Sequence, residues 1–349
     1  MMTDIPTLGI LGGGQLGRML AMAAAKIGVR PLIYAPDEHP CAADIAHFVR
    51  GAYDDTQALK KWSASCDAIT YEFENVDVAC LDTLGTRLAP SRTVLEVSQH
   101  RLKEKLKLQA LDIPVAAFQA VQCRDDIERA MHILGTPLIV KTARFGYDGK
   151  GQYIVRSPED IDDAFAAVGQ DAVAEQFVPF VREFSLIAAC SHDGQIVTYD
   201  PCENIHRDQM LRTTRVPATL SETAHERAQS YIARVAHAFG YVGVLCIEFF
   251  LLENGDVVAN EIAPRVHNSG HWTIEGAKTS QFENHVRAVM HRPLGSTMRY
   301  GAIEMNNIVG HDIVSWRNHP KDGWSFHDYG KHPPKEGRKM GHATRILAS

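Results

Sequence analysis

Apolar residues near the start of the chain change from a continuous run to a helical spacing at a glycine turn. Residues 7–13 have the pattern of a short buried strand that ends in glycines, and apolar residues then recur every three or four positions over 16–27. Two further apolar strands are predicted at 31–34 and 68–71. The order strand, glycine turn, helix, strand predicts a parallel α/β domain, which we assign to residues 1–97.

The middle of the chain alternates short helical and strand-like segments around one glycine-rich loop. In chain order the predicted elements are helix 98–111, strand 115–121, helix 124–134, strand 137–141, strand 152–155, helix 158–168 and strand 172–177. This pattern predicts a small α+β domain over residues 98–178.

The last part of the chain carries strands without the strand–helix–strand order of the first domain. A long amphipathic helix is predicted at 222–239, a hairpin at 244–252 and 257–262, and a helix at 281–290. We therefore expect residues 179–349 to form a central antiparallel domain with a small C-terminal subdomain.

Composition mainly argues against certain classes of partner and location. The 349 residues carry 36 Lys and Arg against 42 Asp and Glu, and the basic residues are spread out, so no nucleic-acid partner is expected. Seven cysteines without C-x-x-C spacing favour reduced thiols. No stretch reaches about 18 consecutive apolar residues and the N-terminus lacks the pattern of a secretory signal, so a cytoplasmic protein with no membrane partner is expected.

Two glutamates in the predicted hairpin indicate a metal site. If Asn254 and Gly255 form a two-residue turn, the register places Glu248 directly opposite Glu261 among apolar neighbours. Opposed carboxylates in such surroundings repel, and either a proton or a divalent cation must relieve the conflict. Carboxylate oxygens completed by substrate phosphates are typical magnesium ligands. The alternatives are a solvent-exposed hairpin face, or a one-residue slip that puts the two side chains on opposite faces.

A lysine and a glycine loop indicate a phosphate site. The apolar strand 137–140 leads into Lys141, a charge suited to phosphate, and three glycines within 146–151 allow backbone amides to approach a polyphosphate. The loop could also move as a lid. It is not a Walker A motif, and such a loop alone is more often a surface turn. Its place between the lysine and the glutamates favours phosphate binding.

A second glycine motif points to another class of enzyme. Residues 12–17 fit G-x-G-x-x-G after a strand and at the start of a helix, with Asp37 some two dozen residues later, which is a dinucleotide-binding fingerprint. An NAD-dependent oxidoreductase is therefore the rival interpretation. It leaves the glutamate pair and the second glycine loop unexplained, and a helix N-terminus also binds other phosphates.

Together these features resemble the ATP-grasp superfamily, which joins an N-terminal α/β (pre-ATP-grasp) domain, a small lid domain and a central antiparallel domain. Within it the chain is most similar to the 5-(carboxyamino)imidazole ribonucleotide synthase family. The segments that carry the resemblance are 12–20, 146–152, 260–272 and 337–342, of which 260–272 is highly specific. The resemblance extends over nearly the whole chain.

The resemblance implies a carbon–nitrogen ligase of purine (IMP) biosynthesis that carboxylates aminoimidazole ribonucleotide with ATP and bicarbonate through carboxyphosphate. It implies an ATP site formed by Arg101, Lys141, Gly146, Tyr147, Asp148, Gly149, Lys150, Gly151, Gln152, Glu175, Gln176, Phe177, Val178, Glu183, His206, Asn260 and Glu261. It implies magnesium on Glu248 and Glu261, with Asn260 and Asn268 beside them. The implied substrate-binding residues are Gln15, Leu16, Glu74, Arg265, His267, Lys331 and Arg338, and the implied catalytic residues are Arg265, His267, Tyr147 and Asp148.

Several expectations stay open at this point. Another ATP-grasp ligase of purine synthesis, such as the formate-dependent glycinamide ribonucleotide enzyme, is the nearest alternative, and a non-catalytic nucleotide-binding module is a third. His267 and His271 also fit ordinary loop histidines, and Lys331 and Arg338 fit a solvated surface. Members of the family continue for a few dozen residues beyond the position of His342, so the last domain is expected to lack a helix. A homodimer is also expected.

Overall fold

A computed structural model describes residues 5–146 and 150–347 of the chain. Its named strands form three sheets, of four, four and nine strands. The first sheet uses strands from residues 7–71, the second from 118–176 and the third from 180–347. The parallel first sheet and the two antiparallel sheets that follow confirm the predicted mixture of α/β and α+β architecture.

The first sheet has the order β3-β2-β1-β4 with parallel neighbours, as the strand–helix–strand pattern predicts. Its core is formed by the continuous apolar strands and the buried face of the first helix. The elements are β1 (Thr7–Leu11), α1 (Gln15–Lys26), β2 (Arg30–Ala35), β3 (His47–Arg50), α2 (Thr56–Ser63), β4 (Ala68–Tyr71), α3 (Val78–Leu81), a 3-10 helix (Asp82–Arg87) and α4 (Arg92–Ser98).

The second sheet has the antiparallel order β5-β8-β6-β7 and carries two helices. Its elements are α5 (Arg101–Ala110), β5 (Phe118–Val121), α6 (Arg124–Leu134), β6 (Leu138–Thr142), β7 (Gln152–Val155), a 3-10 helix (Pro158–Asp160), α7 (Ile161–Val168) and β8 (Ala172–Gln176). The helix predicted over 98–111 is wrong at its start. His100 has extended backbone (φ −133°, ψ 106°) and separates α4 from α5.

The third sheet has the order β14-β13-β9-β11-β12-β15-β17-β16, with β10 beside β9. Its elements are β9 (Phe180–Cys190), β10 (Ile196–Thr198), β11 (Cys202–Arg207), β12 (Met210–Val216), α8 (Glu222–Phe239), β13 (Gly243–Leu252), β14 (Val257–Ala263), a 3-10 helix (Asn268–Gly270), α9 (Thr273–Gly276), α10 (Gln281–Val289), β15 (Ala302–Val309), α11 (Asp312–Asn318), β16 (Ser325–Asp328) and β17 (Lys339–Leu347).

Strands β9 and β13 are buried on both faces because helices cover both sides of the third sheet. Leu245, Ile247 and Phe249 point into the core under α8, whereas Val244 and Cys246 belong to the core that contains α1 and α10. Side chains alternate across a strand, so Glu248 shares the face of Cys246. The Glu248 side chain therefore lies on the face of the third sheet that packs against the first domain.

The hairpin between β13 and β14 does not have the predicted two-residue turn. The Leu252 amide donates to the Asp256 carbonyl at 2.9 Å, so three residues, 253–255, form the loop, and Gly255 takes a positive φ of 83° that favours glycine. Asn260 is then an extra residue on β14, because Glu248 pairs with Glu261 and Phe249 with Ala259. This bulge restores the predicted pairing of the two glutamates, although the turn behind that prediction was wrong.

Among the helices of the described chain, none is long and apolar enough to cross a membrane.

Candidate active site

A cavity of about 670 Å³ lies where the three sheets meet. Most of the residues predicted from sequence to bind ATP, metal or substrate line it. They are Gln15, Leu16, Glu74, Arg101, Lys141, Gly146, Lys150, Gly151, Gln152, Glu183, His206, Glu248, Asn260, Glu261, Arg265, His267 and Asn268. A volume of this size is typical of a small-molecule site.

Some predicted residues lie elsewhere. Gln176, Phe177, Val178, Lys331 and Arg338 are not in the described wall of the cavity, and neither is Glu175. Arg338 is exposed. Tyr147, Asp148 and Gly149 fall outside the residues that the structure describes, so their predicted roles stay predictions.

The two opposed glutamates differ in charge. Burial and the neighbouring charge of Glu261 raise the pKa of Glu248 well above its usual value. Burial acts in the same direction on Glu261, but the charges of Arg101 and Lys141 outweigh it and lower the pKa of Glu261. Without a cation the pair therefore holds one proton on Glu248 while Glu261 is ionised, which is the conflict that the hairpin register predicts.

His267 contacts Glu248 and is held in one tautomer. Its Nδ1 accepts from the Ser269 amide at 3.3 Å, so in the neutral ring the proton resides on Nε2, which lies 3.2 Å from Oε1 of Glu248. Burial, followed by the positive charge of Arg265, lowers the pKa of His267 well below 6.5, so the ring is neutral. His267 therefore donates to Glu248.

A chain of buried hydroxyl and amide groups holds this tautomer in place. Oγ of Ser269 is 2.8 Å from Nδ1 of His267 and 2.6 Å from Oγ of Ser185. Because Nδ1 is an acceptor, the Ser269 hydroxyl donates to it and the Ser185 hydroxyl donates to Ser269. Asn204 donates to Ser185 at 3.1 Å. Each group in this chain therefore donates to the next one, from Asn204 on β11 through the two serines and His267 to Glu248.

Arg265 is held by a two-point ion pair. Its Nε lies 2.7 Å from Oε2 of Glu74, and its Nη2 donates to Oε1 of the same carboxylate at 2.8 Å. A guanidinium fork held by a carboxylate fork has little freedom to rotate. Since both side chains line the cavity, Glu74 orients Arg265 toward whatever the cavity binds.

Lys141 belongs to a buried cluster of alternating charge. Its Nζ lies 2.9 Å from Oε2 of Glu175, and Nζ of Lys105 lies 3.2 Å from the same oxygen. Burial alone would raise the pKa of Glu175, but Lys141 and Lys105 outweigh it and lower the pKa to about 2. Oε2 of Glu175 is therefore paired with both lysines, whereas Oε1 is buried without a hydrogen-bond partner among the described residues.

The start of α5 connects this cluster to the glutamate pair. Nη1 of Arg101 lies 3.2 Å from Oε2 of Glu261. Glu104, one turn later, accepts from the Ile262 amide at 2.6 Å, and burial together with the charge of Glu261 raises its pKa to about 8. One helix therefore positions both a cation and a neutral acceptor against β14.

Two further contacts organise the opposite wall. Nδ1 of His206 on β11 lies 3.1 Å from Oε2 of Glu183 on β9. At the glycine loop, the Thr142 amide donates to the Gly151 carbonyl at 2.8 Å, and a Cβ on Gly151 would lie 2.6 Å from the Thr142 hydroxyl. This close approach and a φ of 72° explain why glycine stands there.

The N-terminal glycine motif binds a carboxylate of the protein itself. The amides of Gly14 and Gly17 donate to the buried carboxylate of Glu72, the second at 2.6 Å. A Cβ on Gly14 would lie 2.7 Å from Oε1 of Glu72. These glycines therefore allow a carboxylate to approach, and the two amides that Glu72 occupies cannot at the same time bind a phosphate.

Sequence reasoning missed several residues of the cavity and its supports. Those lining the cavity are Glu72, Phe73, Asn75, Ser98, Gln99, Glu104, Ile139, Ala143, Phe145, Phe180, Gln209, Leu211, Phe250, Ile262, Ala263 and Lys339. Glu104 and Lys105 carried a detectable signal, since two ionisable residues within a helical apolar pattern indicate burial or pairing. The apolar wall residues carry no signal that separates them from core.

Lys331, predicted to bind substrate, is buried and fixed rather than solvated. Its Nζ donates to the Lys339 carbonyl at 2.9 Å, and burial, aided by the charge of Arg338, lowers its pKa to about 8. In the unfolded chain a lysine titrates near 10.4. The cost of burying the charge is therefore present in full below the folded pKa and is relieved as the pH rises from about 8 toward 10.

We expect Lys331→Met to be more stable relative to wild type at about pH 7 than at about pH 10, by roughly 1–3 kcal/mol, because methionine carries no charge to desolvate. Urea unfolding of both proteins across this range measures the difference. Lys335→Met, at an exposed position of the same loop, is the control and its difference from wild type should not vary with pH. A pH-independent difference for Lys331→Met would contradict the assignment.

Comparison with known proteins agrees with this architecture. The ribonucleotide synthetase preATP-grasp domain family matches residues 5–99, the ATP-grasp domain family residues 106–282, and the phosphoribosylaminoimidazole carboxylase C-terminal domain family residues 304–349. The N5-carboxyaminoimidazole ribonucleotide synthase of Brucella melitensis is 44% identical, with 97% of this chain and 96% of that protein aligned.

Solved structures agree as well. The N5-carboxyaminoimidazole ribonucleotide synthetase of Thermus thermophilus superposes with a TM-score of 0.91 at 41% identity, over 97% of this chain and 93% of that one. The Aspergillus clavatus N5-carboxyaminoimidazole synthase, crystallised with ADP and 5-aminoimidazole ribonucleotide, gives 0.91 at 30% identity, over 99% and 94%. The rival oxidoreductase interpretation is thereby wrong, and the chain belongs to the N5-carboxyaminoimidazole ribonucleotide synthase family of ATP-grasp ligases.

Proposed function

We propose that this protein carboxylates the amine of 5-aminoimidazole ribonucleotide with ATP and bicarbonate, in the purine (IMP) pathway. The products are the 5-carboxyamino derivative, ADP and phosphate. The observation that carries the proposal is the opposed pair Glu248 and Glu261 beside the fixed guanidinium of Arg265, all in the wall of one cavity. A ligase that makes a phosphorylated carboxyl group needs this combination of a cation site and an anion-binding fork.

The wall around Lys141 is the proposed ATP side of the cavity. Lys141 and Arg101 would supply positive charge near the polyphosphate, and Gly146, Lys150 and Gly151 of the glycine loop line the same cavity. Glu183 and His206, whose Oε2 and Nδ1 lie 3.1 Å apart, offer polar groups suited to the hydroxyls of a ribose. Adenine is proposed to contact backbone groups of residues 175–178, since Oε2 of Glu175 is already paired with two lysines.

Glu248 and Glu261 are the proposed magnesium ligands. The donor set fits a hard cation, since it offers two carboxylates, and Oδ1 of the neighbouring Asn260 is buried with no hydrogen-bond partner in the described parts of the chain. Asn268 fits less well, because its amide exchanges two hydrogen bonds with Asn307. Magnesium bound there would neutralise phosphate charge during transfer.

Carboxyl transfer follows in two balanced steps. A bicarbonate oxygen attacks the γ-phosphorus, and the bond to ADP breaks, which gives carboxyphosphate. The substrate amine then attacks the carboxyl carbon, the C–O bond to phosphate breaks, and the nitrogen loses a proton. Arg265 is placed to bind the carboxyphosphate oxygens because Glu74 fixes its orientation. Enclosure under the glycine loop would keep this unstable intermediate from water.

His267 is proposed to position Glu248 rather than to accept the amine proton. Nδ1 already accepts from the amide and hydroxyl of Ser269, and Nε2 carries the proton that faces Glu248. Neither nitrogen of the neutral ring has a free lone pair in this arrangement. The departing phosphate is the proposed acceptor of the amine proton.

The proposed substrate is tested by ADP release. With ATP, magnesium and bicarbonate present, we expect ADP production to depend on aminoimidazole ribonucleotide and to stay at background with glycinamide ribonucleotide plus formate. Omission of bicarbonate should also reduce coupled product formation to background. Turnover with glycinamide ribonucleotide instead would favour the alternative ligase and overturn the proposal.

Glu261→Gln should abolish turnover and leave the fold intact, because the amide keeps the shape of the side chain but loses the negative charge that binds magnesium. Steady-state ADP release gives the activity, and circular dichroism gives the fold. Glu253→Gln, an exposed glutamate in the turn of the same hairpin, is the matched control and should behave as wild type. Near-normal ADP release by Glu261→Gln would remove the basis for the metal assignment.

Arg265→Ala should lower kcat by about a hundredfold or more, the scale for losing a charge partner of the transition state. The KM for ATP should change far less, since Arg265 is not on the proposed ATP side. Steady-state kinetics with each of the three substrates varied separate the two effects, with Arg234→Ala on the exposed side of α8 as the control. A variant with wild-type kcat and a raised KM for ATP would show that the fork serves nucleotide binding.

The expected homodimer and the expected cytoplasmic location remain proposals.

A further inference from the structure

Two histidines and a glutamate form a cluster outside the cavity, which we call the histidine cluster (Glu275, His327 and His342). His327 on β16 and His342 on β17 are direct cross-strand partners, so their side chains share one face of the sheet. Helix α9, which carries Glu275, packs against β17. None of the three side chains lines the proposed active site.

The three side chains converge closely enough to share one cation. Nε2 of His327 lies 2.5 Å from Oε1 of Glu275, and the rings of His327 and His342 stack with centroids 4.5 Å apart. One nitrogen or oxygen from each residue lies within 4.8 Å of the others. Zinc–ligand distances are about 2.0–2.2 Å, so small side-chain rotations bring these atoms around one ion.

Several polar atoms at this place are buried without a partner. Nε2 of the fully buried His342, Oε2 of Glu275 and Nε2 of the adjacent His271 find no hydrogen-bond partner among residues 5–146 and 150–347. Three such atoms side by side are unusual, because buried polar groups are nearly always paired. A bound cation would satisfy the lone pairs of His342 and Glu275 together.

We propose that the histidine cluster binds one transition-metal cation of the zinc class. Two imidazoles and one carboxylate are a common zinc ligand set, whereas magnesium prefers oxygen ligands alone. The surroundings also fit, since Nδ1 of His342 lies 3.0 Å from the Tyr329 hydroxyl. In the metal-bound form Nδ1–H donates to Tyr329, which leaves Nε2 for the ion.

The position of the site indicates a structural role. Helix α9 follows the segment that carries Arg265 and His267, and the loop between β16 and β17 carries Lys331. A cation that joins α9 to both strands would therefore fix the C-terminal hairpin against the segment proposed for carboxyl transfer. Binding to the native state also raises its stability by mass action.

Cobalt(II) is the probe, because in a four-coordinate nitrogen and oxygen site it absorbs visible light far more strongly than the hydrated ion. The full-length protein is first saturated with magnesium and ADP, so that the proposed active-site carboxylates are occupied. We expect one equivalent of cobalt(II) per chain to give visible absorption bands that zinc(II) abolishes by displacement. Zinc(II) should also raise the Tm of the protein.

Glu275→Gln is the decisive variant, since the amide oxygen still accepts the hydrogen bond from His327 but is a poor metal ligand. We expect it to fold, to bind cobalt(II) about tenfold or more weakly, and to lose the zinc-dependent rise in Tm. His319→Ala, an exposed histidine of the same region, is the control and should keep both signals. Absence of visible bands from the wild-type protein, or equal bands from Glu275→Gln and wild type, would overturn the proposal.

Discussion

The opposition of Glu248 and Glu261 is the constraint around which the site is organised. Two carboxylates directly across a buried hairpin cannot both ionise without a counter-charge. A bulge at Asn260 holds them in this register. Arg101 and Lys141 lower the pKa of Glu261, whereas burial and the charge of Glu261 raise the pKa of Glu248. The preference for one proton in the free protein and for a divalent cation in the proposed complex follows from the same geometry. A bound divalent cation would remove the repulsion between the two carboxylates, which is what the proposed magnesium nucleotide supplies.

The buried cations are in turn balanced by other carboxylates. Glu175 pairs with Lys105 and Lys141, and Glu74 holds Arg265, so Lys141 and Arg265 in the cavity wall each have a carboxylate partner. Removal of one partner from such a pair leaves an unpaired buried charge, which costs more than the pair contributes. The arrangement fixes where each charge points before substrate arrives, which is the requirement for electrostatic catalysis. The neutral His267 also orients Glu248, because its fixed tautomer presents a hydrogen-bond donor, Nε2–H, to that carboxyl group.

The sequence was sufficient for the parts that depend on local pattern or on a family-specific segment. Helices at 124–134 and 222–239, the strands that carry Lys141 and Glu248, and the opposed glutamates were all predictable. The three-residue turn and its bulge were not, because Asn-Gly fits both a two-residue turn and the centre of a longer one. The Lys105–Glu175 contact joins residues 70 positions apart in the chain, and no local period reports such a pair. The predicted domain boundaries, and the roles assigned to single residues, stay predictions.

The N-terminal glycine motif shows why a phosphate-binding pattern can mislead. What the pattern encodes is a set of amides at a helix start and enough space for an anion to approach. Here the carboxylate of Glu72 takes that place. Glu72 directly follows β4, which pairs with β1, and its carboxylate accepts from the amides of Gly14 and Gly17. An internal carboxylate loses little freedom on binding, so a ligand phosphate would have to displace an already ordered partner. Gln15 and Leu16, the residues between these two glycines, line the cavity. A phosphorylated substrate that bound at this helix would therefore meet Gln15 and Leu16, because the amides of Gly14 and Gly17 already donate to Glu72.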